Sequence, residues 1–184
     1  MSALSLRRLA VPLLALLALA WLIAMVVTGA QPVQRQLVKF EAKGVMTVAP
    51  ERIDRVEIER GTRRVALART SSGGWSHEGG AELPAPAAAK VSLAVQYMHT
   101  AGPVRSMKAE EIRGVAPTEF GLAPPDLSVT LFAAGQRVLQ AHFGARNAED
   151  LLRYMTLSGS DDMYLMSRFV GQQWDASIEA VQPR

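Results

Sequence analysis

Residues 9–28, opening at Leu9 and closing at Thr28, run for twenty positions without a single charge. No other feature constrains the fold as much, because a stretch of that length must find a large apolar partner or leave water. As a helix rising 1.5 Å per residue it would be about 30 Å long, the thickness of a bilayer's hydrocarbon core. Trp21 lies within it, and Pro12 falls in its first turn, where a missing N–H costs little. Arg7 and Arg8 precede it and mark the near side as cytoplasmic, although Arg35, Lys39 and Lys43 follow on the far side and weaken that bias. The run predicts a cytoplasmic tip and transmembrane signal anchor over residues 1–30, held in inner-membrane lipid. The protein would then be single-pass, with its C-terminal domain in the periplasm. A cleaved signal peptide ending at Thr28-Gly29-Ala30 is the competing reading; the apolar cores of such peptides run about 7–15 residues, shorter than this one.

The rest of the chain narrows the function classes. From Gln31 onward 18 basic residues face 17 acidic ones, too even a balance for nucleic-acid binding through bulk charge. The absence of cysteine removes thiolate catalysis, disulfide scaffolds and Cys-based zinc or iron–sulfur sites. Residues 31–50 have mixed polarity and read as a juxtamembrane linker, helical or extended. That leaves 51–184 as an extracytoplasmic α+β domain.

Residues 52–70 read as a hairpin. Gly61-Thr62 suits a two-residue type II′ loop with Gly first. That register sets Ile58 opposite Val65 and Val56 opposite Leu67 on one face, with Glu59 opposite Arg64 on the other. Six arginines between Arg52 and Arg69 are interleaved with Glu51, Asp54, Glu57 and Glu59, the mixed signs of a solvated strand face. After a turn at 71–74, Trp75 sits on a short third strand as a core anchor. Val91, Val95 and Met98 recur at helical spacing beside Ala87 and Ala94, so a helix from about Pro86 carries a one-sided apolar stripe. Gly102-Pro103 closes it.

Residues 104–116 are polar and undecided between loop and helical turn. In 119–125 two apolar anchors flank a glycine, and two prolines then hold the chain extended, like a plug entering a strand. A second hairpin with a three-residue loop at Ala134-Gly135-Gln136 aligns Leu131 with Leu139, Val129 with Ala141 and Leu127 with Phe143. Gly144 ends it. Residues 151–157 and 163–166 make a third strand pair, and a last helix near 168–180 carries Phe169, Val170 and Trp174. The expected fold class is α+β: antiparallel β-hairpins packed with one main amphipathic helix, preceded by a single transmembrane helix.

The order of these parts resembles a known family. A charged, Ile- and Val-rich strand (Ile53 to Ile58) is followed by a second strand and Gly74-Trp75. An Ala- and Val-rich helix comes next, then Phe120-Gly121-Leu122 with Pro124-Pro125, an alternating strand, and a strand closed by Phe143-Gly144. This set is similar to the domain-of-unknown-function family 4340 (DUF4340) over about residues 52–166. Phe120 stands where that family more often has Tyr, and this chain has room for one unit where members commonly carry repeats. The resemblance implies a membrane-anchored extracytoplasmic domain, sometimes encoded beside gliding-type ABC transporter components. It brings no catalytic residues. The structural signature it marks is Trp75, Phe120, Gly121, Leu122, Pro124, Pro125 and Gly144, beside the anchor residues Leu9, Trp21 and Thr28.

No catalytic pattern appears elsewhere. His77, His99 and His142 lie on separate elements, and H-x-x-x-H, H-E-x-x-H and G-x-S-x-G are absent. Glu110-Glu111 and Asp161-Asp162 are adjacent acids of the kind that turns expose. Residues 71–74 and Gly79-Gly80 lack the Lys and spacing of a phosphate loop. Strand parity sends His142 to the face of Ser128 and Thr130, away from any carboxylate on its own hairpin. The expected function is a non-catalytic, membrane-anchored periplasmic accessory subunit of an envelope or transporter complex, with membrane-protein partners, no cofactor and no metal. The alternative is an exported binding module for a lipid, glycan or other envelope ligand.

Overall fold

In the computed structural model, which describes residues 3–29 and 43–181, the first hairpin forms in the register its residues dictate. Strand β1 (Arg55–Arg60) pairs with β2 (Arg63–Arg69), setting Ile58 opposite Val65, Val56 opposite Leu67 and Glu59 opposite Arg64. Gly61 takes φ 57, the conformation that selects glycine at the head of this turn. Arg64 Nε lies 3.0 Å from Glu59 Oε1. The short strand β3 (Trp75–His77) adds to β2 and places Trp75 opposite Arg69.

The second hairpin, β5 (Leu127–Ala133) with β6 (Gln136–Arg146), keeps the expected pairings but reaches them differently. Its loop has two residues, Ala134 and Gly135, both at positive φ (51 and 72), the type I′ form. The extra residue appears instead as a bulge: Leu131 faces Leu139 and Phe132 faces Arg137, leaving Val138 between them. A three-residue loop and a two-residue loop with a bulge give the same inward parity.

Strands β7 (Leu152–Leu157) and β8 (Met163–Ser167) form the third pair, and the polar stretch after the helix supplies β4 (Arg105–Met107) at the sheet's edge. All eight strands belong to one antiparallel sheet in the order β3-β2-β1-β5-β6-β7-β8-β4. Helix α2 (Ala85–Thr100) buries Ala87, Val91, Ala94, Val95 and Met98, and α3 (Arg168–Ala180) buries Val170, Trp174 and Ile178. Both stripes join the same core as the inward side of the sheet. Residues 43–46 belong to this unit as well. Gly44 and Met46 donate to the carbonyls of His99 and Met98 at the end of α2, and Met46 is buried. His99 Nδ1 lies 2.9 Å from the Met46 carbonyl, so its role is to hold this entering segment.

The expected fold class is corrected by this architecture. The hairpins are not separate units gathered on one main helix; among the described residues of 43–181 they share ladders in a mostly-β fold, one eight-stranded sheet with α2 and α3 on it. The transmembrane anchor is corrected too. Helix α1 (Ala3–Gly29) belongs to a unit of its own, Met1–Glu41. Among the described residues no helix is long and apolar enough to cross a membrane. That finding overturns the single-pass, inner-membrane placement with a periplasmic domain. Trp21 is exposed. The side chains of Leu9 and Thr28, cleavage after Ala30 and the first part, 31–42, of the linker expected over 31–50 fall outside the described residues.

Trp75 is fully buried, its indole N–H donates to Ser92 Oγ of α2 at 2.9 Å, and the Arg69 guanidinium stands 4.5 Å over its ring. Truncating it removes the contact between β3 and α2. Trp75→Ala is expected to lower stability by about 3–5 kcal/mol. A denaturant midpoint unchanged by this substitution would show that the ring contributes no packing.

Candidate functional site

The first candidate lies on the outward face of the sheet. Alternation puts Glu59, Ser128, His142 and Thr156 in one row across β1, β5, β6 and β7. His142 Nδ1 is 2.9 Å from Ser128 Oγ, and its Nε2 is 3.1 Å from Ser158 Oγ. A serine within reach of an imidazole is the first half of a nucleophile and base. The neighbours decide which way the protons run. Arg137 Nη1 donates to Gln140 Oε1 at 2.8 Å, which fixes that oxygen as an acceptor. Ser158 Oγ also meets Gln140 Oε1, at 2.9 Å, so the hydroxyl proton points there. Ser158 can then only accept from His142 Nε2–H, and the bare Nδ1 accepts from Ser128. The imidazole therefore donates to Ser158 and accepts from Ser128; the Ser128 side has the direction of a base, but among the described residues no carboxylate hydrogen-bonds the ring to orient it or to stabilise its protonated form.

Burial holds the His142 imidazole below its ordinary range, with Glu59 across the sheet opposing the shift. The ring is neutral near neutral pH, as this chain of donors requires.

The second candidate gathers the residues of the sequence signature. Opposite Tyr154 the ladder between β6 and β7 is irregular at Gly144 and Ala145, and the segment carrying Phe120, Gly121 and Leu122 lies against it. A Cβ on Gly144 would stand 2.2 Å from the Phe120 carbonyl, and one on Gly121 would stand 2.7 Å from the Ala145 nitrogen. Gly121 also takes φ 65. Both positions require glycine for this close approach. Gly121, Pro124, Pro125 and Gly144 wall a cleft of about 520 Å³, which Arg60, Arg146 and Arg153 also line.

Arg153 is the buried charge of this cleft, 3% exposed. Its Nε donates to the Gly144 carbonyl at 2.9 Å, Nη1 to Asp175 at 3.2 Å and Nη2 to Asp126 at 2.5 Å. Gly171 of α3 makes room for it, since a Cβ there would meet Nη1 at 2.6 Å. The guanidinium thus joins β7, the start of β5 and α3. This arrangement is a structural clamp, with its charge compensated inside the fold.

The third feature is a groove of about 380 Å³ on the outward side of β7 and β8, lined by Ile112, Val115, Pro117, Phe120, Leu122 and Met163. The Phe120 and Tyr154 rings meet here with centroids 4.9 Å apart. Met163 shares the face of Thr156, its partner across the ladder, and is 1% exposed although it stands outside the main core. Sequence reading left residues 104–116 undecided and missed this groove, because its apolar residues have neither helical nor strand spacing.

Among the described residues no group of three or more His, Asp or Glu side chains is placed to hold a metal ion. His77, His99 and His142 stay on separate elements. Comparison with known proteins finds no match: no family model matches the chain, nor does any curated protein or solved structure.

Two predictions follow from these geometries. A buried neutral histidine binds fewer protons than its unfolded counterpart, so stability should fall as pH drops through about 6.5 toward the lower folded-state value. His142→Gln should flatten this part of the melting-temperature profile, measured at constant ionic strength; an unchanged slope would place the imidazole in water. Arg153→Ala removes the partner of the Gly144 carbonyl and leaves Asp175 with Arg60 at 3.7 Å, and should cost about 3–5 kcal/mol in denaturant unfolding. A loss below about 1 kcal/mol would contradict the clamp.

Proposed function

We propose that this chain is a non-catalytic accessory subunit, a module that docks on another protein. The observation that carries the reading is that, among the described residues, no carboxylate hydrogen-bonds the His142 imidazole. Its Nδ1 accepts from Ser128, but its Nε2–H is held by the Ser158 hydroxyl, where a nucleophile–base pair needs a third group that supports the protonated ring. In the other strong polar cluster, the Arg153 guanidinium spends its donors on the Gly144 carbonyl, Asp175 and Asp126. The sheet has α2 and α3 on one side, and its other face carries Glu57, Glu59, Thr130 and His142 as surface for a partner. The resemblance to family 4340 belongs to the same proposal, as a relationship for which the ordered signature residues are the support.

A second reading, a binding module for a small ligand such as a lipid or glycan, is favoured by one observation. The cleft beside Arg153, about 520 Å³, falls in the size range of ligand sites.

Affinity purification of the full chain from its native cells separates the two. A partner protein recovered in stoichiometric amount is expected; a small molecule retained by the purified chain, with no protein partner, would favour the second reading. His142→Ala should leave complex assembly and in-cell function within about twofold of the parent. Loss of function with normal protein level and intact complex would overturn the non-catalytic assignment.

A further inference from the structure

The groove between residues 112–122 and the loop after β7 differs from the rest of the surface in both packing and charge. Its floor is a small apolar cluster on the outward side of the sheet, where Phe120 meets Tyr154 and Met163 is buried. Its lip is open, with Val115 39% exposed. Residues 105–122 and 158–163, which form the groove and its surroundings, carry three basic and five acidic side chains, a net of −2 in a chain that carries +3 overall. Two of those acids are engaged: Glu111 lies 3.6 Å from Arg105, and Asp162 lies 2.6 Å from Lys108. Glu110, Glu119 and Asp161 are exposed and, among the described residues, form no ion pair. An apolar slot rimmed by unpaired carboxylates repels phosphate-bearing surfaces and suits a partner that brings cations around an apolar anchor.

We propose that this groove docks a basic amphipathic segment of a partner protein. One apolar side chain of that segment enters against Phe120 and Val115, and its Lys or Arg neighbours lie beside Glu119 and Asp161. The proposal rests on the docking reading above and adds the place and the partner's chemistry. The volume of about 380 Å³ admits one or two large side chains, the scale of a single anchor in a pocket. The carboxylates at the rim then set orientation and speed of encounter more than final affinity.

The test places a photoreactive p-benzoylphenylalanine at Val115 in the full chain, in its native cells. The same residue at Leu93, on the exposed side of α2, is the control. The cross-linked peptide is sequenced. An adduct from Val115 to a partner segment pairing an apolar residue with Lys or Arg is the expected result. The double variant Glu119→Lys/Asp161→Lys should reduce that adduct about tenfold with an unchanged melting temperature, since both positions are exposed. An adduct to an acidic or uncharged segment, to a lipid, or to residues 31–42 of this same chain would overturn the proposal. Adducts from Leu93 alone would overturn it while leaving the docking reading in place. No protein adduct from either position would overturn both.

Discussion

The ladder between β1 and β5 is the contact on which the rest of the sheet depends, because it joins two hairpins that are each marginal alone in water. Across it Val56 meets Leu131 and Ile58 meets Val129. The result is two continuous apolar rows: Leu67, Val56, Leu131 and Leu139 in one, and Val65, Ile58, Val129, Ala141 and Leu157 in the other. A slip of one residue would turn every member of the slipped strand to the opposite face. Helices α2 and α3 find a surface wide enough to cover only once these rows are complete. Trp75, at the far edge, is buried because that helical layer extends over it.

The other end of the sheet is organised by close backbone approach and one buried charge. Gly121 and Gly144 let the segment before β5 lie directly on the irregular part of the ladder between β6 and β7. Arg153 then ties the Gly144 carbonyl, Asp126 and Asp175 into one cluster beneath it. Removing any one partner of a buried charge costs more than the pair contributes net, so the cluster fixes geometry more than it adds stability. The same segment presents Phe120 to Tyr154 on the outward side. A single stretch of chain therefore closes the cleft on one side and builds the groove on the other.

The outward face carries its polar side chains as one hydrogen-bonded chain. Gln140, oriented by Arg137, takes the Ser158 proton, so the imidazole donates to Ser158 and accepts from Ser128, and among the described residues no carboxylate hydrogen-bonds the ring. The groove with its unpaired Glu110, Glu119 and Asp161 is the part of that surface with a defined shape and charge.

By itself, the sequence determined what local chemistry decides. The pairings of both hairpins followed from Gly61, from Gly135 and from alternation, and even the misjudged loop at 134–136 left parity intact because a bulge at Val138 replaced the missing loop residue. The stripes of α2 and the limits of α3 were legible because helical periodicity is a short-range signal. Tertiary structure alone decided which strands became neighbours, since β1 against β5 and β4 against β8 join residues far apart in the chain through backbone hydrogen bonds that carry no residue code. It also decided the protonation of His142, which depends on a glutamine two residues away, a serine on the next loop and an arginine on the hairpin. The apolar run at 9–28 shows the limit of composition: charge-free length predicted a membrane span, whereas no helix among the described residues is long and apolar enough to cross one. Periodicity and turn chemistry act over a few residues; strand order, proton direction and the groove depend on groups brought together only when the chain has folded.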